Sequence, residues 1–98
     1  MIRHVVVLSW NDKVTNAAVQ AVTDGFAALP DRIPEIRSYE FGPDLELSKR
    51  NANYVLIADF ENTEDFETYV SHPDHVALMK DLCSPILDSF RAVQFERP

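Results

Sequence analysis

The 98-residue sequence predicts a single α+β domain built on a four-stranded antiparallel sheet. Three observations carry that prediction. Strand-like stretches and helix-like stretches follow one another in the order β-α-β-β-α-β. Turn residues separate them, with no internal repeat, low-complexity tract or linker to divide the chain. The first and third strands are apolar at both phases of their alternation, so each asks to be covered on two sides.

The first strand is Arg3 to Trp10, where His4, Val6, Leu8 and Trp10 alternate with Val5 and Val7. After a polar turn at Asn11-Asp12-Lys13, Ala18, Val22, Phe26 and Leu29 recur every three to four residues, with Val14 one turn ahead. That period predicts an amphipathic helix from Thr15 to Leu29. Pro30 and Pro34 are expected to stop it, because proline lacks the amide hydrogen a helix interior needs. Ile36 to Phe41 alternates with period two and reads as the second strand, ended by Gly42-Pro43. The polar stretch Asp44 to Asn53 reads as a loop, and Tyr54 to Phe60 as the third strand.

Asn62 or Thr63 followed by Glu64 and Asp65 is a helix start, since acidic side chains favour the positive end of the helix dipole. Phe66, Tyr69 and Val70 form its inner face. Pro73 cannot continue that helix but suits the first position of another, capped by His72 or Ser71, with Val76, Met79 and Leu82 or Cys83 as its apolar stripe. Ser84-Pro85 interrupts again, and Arg91 to Glu96 closes the chain as a fourth strand. This order folds most simply into the ferredoxin-like arrangement, with the helices on one sheet face. The other face would expose more apolar surface than a monomer tolerates. A homodimer closed through its sheet faces is therefore expected, an eight-stranded barrel with room for a small ligand.

Nine basic residues against 16 acidic ones give a net charge of −7, which opposes binding to nucleic acid or to an anionic membrane surface. No stretch is long and apolar enough to span a membrane, and the start of the chain lacks the apolar core of a signal peptide. With one cysteine there is no internal disulfide, and a cytoplasmic location is expected. Cys83, beside Leu82 in an apolar stripe, reads as a packed thiol rather than a nucleophile. No phosphate-cradling loop, nucleophile elbow or Cys-x-x-Cys pattern is present, so no cofactor and no metal is expected.

The reactive side chains concentrate in Tyr69-Val70-Ser71-His72-Pro73-Asp74-His75, where a helix break lets both ends converge. Histidine exchanges a proton near neutral pH, and a tyrosine hydroxyl can donate to a developing oxyanion. His4, in the first strand, is the third candidate. The plain alternatives are a core Tyr69, a capping His72 and a surface His75. His72, Asp74 and His75 could also ligate a metal, but Pro73 places His72 outside the helix and breaks the spacing. Glu35, Glu40 and Asp59 lie in or beside strands and could be paired carboxylates, but a solvated face is the more common reason for such charges.

The opening Arg3-His4-Val5-Val6-Val7-Leu8, the Leu29-Pro30-x-x-Ile33-Pro34-x-Ile36 hinge, Phe41-Gly42 and Tyr69-x-x-His72-Pro73-x-His75-Val76 together resemble the stress-responsive α/β-barrel (Dabb) family. The resemblance implies a dimeric α/β barrel with a pocket between the sheet and helices of each protomer. In a polyketide-cyclising member the tyrosine and final histidine of that run are the catalytic pair, matching Tyr69 and His75, and a strand-one histidine matching His4 lines the pocket. By that likeness His75 would remove a proton α to a carbonyl and Tyr69 would donate to the enolate oxygen. His4 would orient the substrate or hold the tautomer of His75. Asp74, Leu78, Met79 and Lys80 depart from the cyclase, so a polyketide substrate is not implied. The expected function is cofactor-free acid–base chemistry on a small carbonyl compound: cyclisation, isomerisation or decarboxylation. The alternatives are a non-catalytic, stress-responsive ligand-binding dimer and a cofactor-free oxygenase.

Overall fold

A computed structural model describes all residues, Met1–Pro98. Its elements are β1 (Ile2–Trp10), α1 (Asn16–Arg32), β2 (Ser38–Pro43), β3 (Tyr54–Phe60), α2 (Thr63–Ser71), α3 (Pro73–Leu78) and β4 (Leu87–Glu96). A π-helical turn, Met79–Cys83, and a 3-10 turn, Ser84–Ile86, join α3 to β4. The strands form one antiparallel sheet in the order β2-β3-β1-β4. This is the ferredoxin-like α+β fold anticipated from the element order.

Three boundaries differ from expectation. α1 runs through Pro30 to Arg32. Pro30 falls in the last turn, where its missing amide hydrogen costs one bond, and the Ile33 amide still reaches the Leu29 carbonyl at 2.8 Å. β2 starts at Ser38 and includes Gly42-Pro43 instead of ending before them. It is an edge strand paired only with β3, so proline can occupy its last position without breaking a second ladder. β4 begins at Leu87, four residues before the expected start.

Strand register sorts the sheet into two faces. His4, Val6 and Leu8 of β1, with Tyr54, Leu56, Ala58 and Phe60 of β3, are buried beneath Val22, Phe26 and Leu29 of α1 and Tyr69 of α2. On the opposite face, successive rows read Ser38-Asp59-Arg3-Phe95, Glu40-Ile57-Val5-Val93 and Gly42-Val55-Val7-Arg91. No helix of the chain covers this face; Val93 is 57% exposed and Phe95 47%. Asp59 is the exception to its surroundings and a correction to the expected solvated charge: it is 1% exposed. Arg3 donates to both its oxygens at 2.9 Å, Ser38 at 2.7 Å and Arg97 at 3.0 Å. The Arg3 hydrogen bonds, first of all, hold its carboxyl down to about 2.

The helices after β3 are set by local chemistry. The Asn62 side chain caps α2 by accepting from the Asp65 amide at 2.8 Å, an interaction worth about 1 kcal/mol. Pro73 opens α3, and the His72 ring caps it, Nδ1 accepting from the Asp74 amide at 3.1 Å. The α1 face meets this segment at Gly25, where a Cβ would lie 2.5 Å from Leu78 Cδ1. The absent side chain is what lets α3 approach α1.

Candidate functional site

β4 lies beyond the reach of the helices, so the layer above β1 and β4 is incomplete. What remains is an apolar cavity of about 260 Å³. Val6, Leu8 and Leu56 form its sheet side, Phe26, Tyr69, Val70, His75 and Met79 its helical side, and Phe90 and Ala92 of β4 border it. Phe90 is 59% exposed at this border. The structure brings His4, Tyr69 and His75 to this one cavity. At about 30 Å³ per water-sized group, it holds on the order of ten non-hydrogen atoms. This cavity lies under the helices of one chain and not on the bare sheet face.

His75 stacks on Tyr69 with ring centroids 4.4 Å apart. Its Nδ1 lies 3.1 Å from the Val70 carbonyl oxygen, which can only accept, so Nδ1 carries the proton and Nε2 a free lone pair. Burial, chiefly, lowers its pKa, while the Val70 bond partly opposes the shift. His4 packs against Phe66 at 5.0 Å and is pushed down to about 4, mainly by burial and secondarily by His75. Both rings are therefore neutral at pH 7.

Tyr69 is fully buried, and its hydroxyl lies 2.7 Å from that of Tyr39. Burial pushes Tyr69 up to about 12, partly offset by the bond with Tyr39, and raises Tyr39 as well. Both phenols stay protonated at neutral pH. His72 is apart from the others: its Nδ1 serves the α3 cap, and Asp74 turns to Arg32 at 3.6 Å. Cys83 is buried with its thiol pushed up to about 11, the packed thiol expected.

Two polar residues around the site escaped the sequence reading. Tyr39 holds the Tyr69 hydroxyl from the inner face of β2, and the Gln94 amide lies 2.9 Å from His4 Nδ1. The signal for each was its phase in an alternating strand; their partners follow only from register, which sets Gln94 opposite His4 and Tyr39 opposite Ala58. A larger groove, about 640 Å³, lies between the start of α1 and the loop after β2. It contains no histidine, tyrosine or cysteine, and its Asp44 already accepts from the Glu46 amide at 2.9 Å and Asn51 at 3.2 Å. Of the two, the smaller apolar cavity is the one lined by histidine and tyrosine.

Residues 2–97 match the stress responsive A/B barrel domain, Dabb. The chain belongs to the Dabb family. Among Dabb relatives, olivetolic acid cyclase of Cannabis sativa is 27% identical over 77 residues, covering 76% of each chain. A stress-response A/B barrel domain-containing protein of Arabidopsis thaliana is 27% identical over 96 residues, 97% of this chain. This chain spans only 36% of that relative's length. The crystal structure of a dimeric ferredoxin-like protein of unknown function from Thermobifida fusca superposes with a TM-score of 0.91 at 38% identity, covering 98% of this chain and 90% of the other. The shared fold therefore extends over the whole sheet and the helices on its one covered face.

Proposed function

We propose that this Dabb protein is a homodimer that takes a small carbonyl compound into the His4–Tyr69–His75 cavity and moves its α-proton without a cofactor. The observation that carries the reading is His75, whose Nδ1–H is tied to the Val70 carbonyl so that Nε2 remains a neutral base at an apolar cavity. The relationship to olivetolic acid cyclase supports carbonyl chemistry as the reaction class, and the dimeric Thermobifida fusca protein supports the assembly. His75 Nε2 takes the α-proton to become imidazolium, the electron pair moves to the carbonyl oxygen, and the resulting enolate is reprotonated or attacks a second carbonyl. Tyr69 stacks on the base and sets its orientation; its hydroxyl can donate to a ligand oxygen while it accepts from Tyr39. His4 contacts the substrate from the sheet side.

Acetophenone, with nine non-hydrogen atoms, is a probe matched to the roughly ten-atom cavity. In heavy water the wild-type protein is expected to catalyse deuterium uptake at its methyl group, followed by NMR. General-base catalysis contributes about 10²–10⁴-fold, so His75→Ala should lower the rate by at least two orders of magnitude. The rate should fall as pH drops through a pKa below the ordinary histidine value of 6.5, because the base is then protonated. Equal uptake by wild type and His75→Ala would sink the assignment. Saturable acetophenone binding with no uptake would leave a ligand-binding dimer in its place.

A further inference from the structure

His4 and His75 meet the same cavity through rings that the protein holds by opposite kinds of partner. The His75 Nδ1–H donates to the Val70 carbonyl at 3.1 Å, so its Nε2 is a lone pair. His4 is held by a donor instead: the Nε2 amide nitrogen of Gln94 lies 2.9 Å from His4 Nδ1 and donates to it. A nitrogen that accepts carries no proton, so the neutral His4 ring is the Nε2–H tautomer. In both rings Nε2 has no protein partner, and no unpartnered side-chain nitrogen in the molecule is sealed from solvent-sized space. Both rings line the same apolar cavity, where a ligand would meet them. Two lone pairs facing one apolar cavity would repel each other and leave a ligand oxygen without a donor; one lone pair and one N–H are complementary. The Tyr69 hydroxyl shares its hydrogen bond with Tyr39, and either can be the donor, so Tyr69 has a hydrogen to offer a ligand only in the arrangement where Tyr39 donates.

We infer that Gln94 is a positioning residue that holds His4 as the Nε2–H tautomer, so that His4 supplies the hydrogen bond to the substrate's carbonyl oxygen while His75 takes the α-proton. The inference rests on the proposed proton-transfer function for its chemistry but not for its geometry. The bond from His4 Nε2–H shortens as the oxygen gains charge, which is where a fixed donor contributes most. A neutral imidazole is suited to this, because it donates without offering a mobile proton that would quench the enolate. Return of the proton from His75 to carbon restores both rings.

Nitrogen-15 NMR of the histidine rings, together with acetophenone deuterium uptake, tests the inference. In the wild type, His4 Nδ1 should show the shift of an unprotonated ring nitrogen and Nε2 that of a protonated one, with the reverse pattern at His75. Gln94→Glu places an acceptor at His4 Nδ1 and should draw the proton there, lowering deuterium uptake at least tenfold while the His75 signals keep their pattern. Gln94→Leu, which offers neither donor nor acceptor, should give a mixture of His4 tautomers and an intermediate rate. A wild-type His4 protonated at Nδ1, or a Gln94→Glu protein that keeps the proton on Nε2, overturns the positioning role. A switched tautomer with undiminished uptake overturns the donor role. If the wild-type protein takes up no deuterium, the proposed function fails while the ring spectra still decide what Gln94 does.

Discussion

At the residue scale, His4 shows how position changes what a side chain can do. In water it would titrate near 6.5; under Phe66 and Tyr69 it is held neutral down to about 4. The unfolded chain binds the proton first as pH falls, so the folded state loses stability between pH 6.5 and 4 and keeps all of it above 6.5. At about 1.4 kcal/mol per pH unit, the loss reaches roughly 3 kcal/mol, with His75 adding in the same direction. Urea unfolding across this window should show the slope in the wild type and less than half of it in His4→Phe. An unchanged slope in that variant would contradict a buried neutral His4. Asp59 makes the same point with opposite chemistry. Its charge in an alternating strand suggested solvent, yet register sets it across from Arg3, and Ser38 and Arg97 complete its hydrogen bonds.

At the element scale, the second helical region was legible because its signals are local. Asn62, Pro73 and His72 act within one turn, so the cap of α2, the break and the start of α3 fall where those residues predict. The end of α1 was not legible in the same way. Pro30 argues against a helix on its own, but burial of Leu29 and Ile33 on either side favours one more turn, and the proline costs little there. The approach of α3 to α1 is a contact between distant segments and depends on Gly25. Gly25→Ala improves helix propensity by up to about 1 kcal/mol, whereas forcing Leu78 aside in a packed interior costs about 1–3 kcal/mol. A net loss of about 1 kcal/mol is expected by chemical denaturation, with reduced deuterium uptake as α3 and His75 shift. A variant more stable than wild type would show that the contact yields freely.

At the scale of the whole molecule, the bare sheet face dominates. Val5, Val7, Val55, Ile57, Val93 and Phe95 share it, and β4 is exposed throughout from Asp88 to Glu96. An unshielded apolar patch on a long edge strand is costly to leave in water, and a second copy of the same sheet offers a self-complementary cover. Val93→Asp puts a charge at the β4 end of the row that continues through Val5 and Ile57. Light scattering should show wild type at the mass of two chains and Val93→Asp shifted to that of one at micromolar concentration. A wild-type protein at the mass of one chain would exclude the homodimer. No helix is long and apolar enough to cross a membrane.

The sequence by itself determined the element order and the two-sided character of β1 and β3, because hydrophobic period and turn chemistry act over a few residues. It also singled out Tyr69, His75 and His4 as the residues to watch. Only the tertiary structure decided that Gln94 sits on His4, that Tyr39 claims the Tyr69 hydroxyl and that Asp59 is buried between arginines. Those pairings cross 30 to 90 residues of chain, set by strand register and helix docking; local pattern carries no record of which distant side chain will lie opposite.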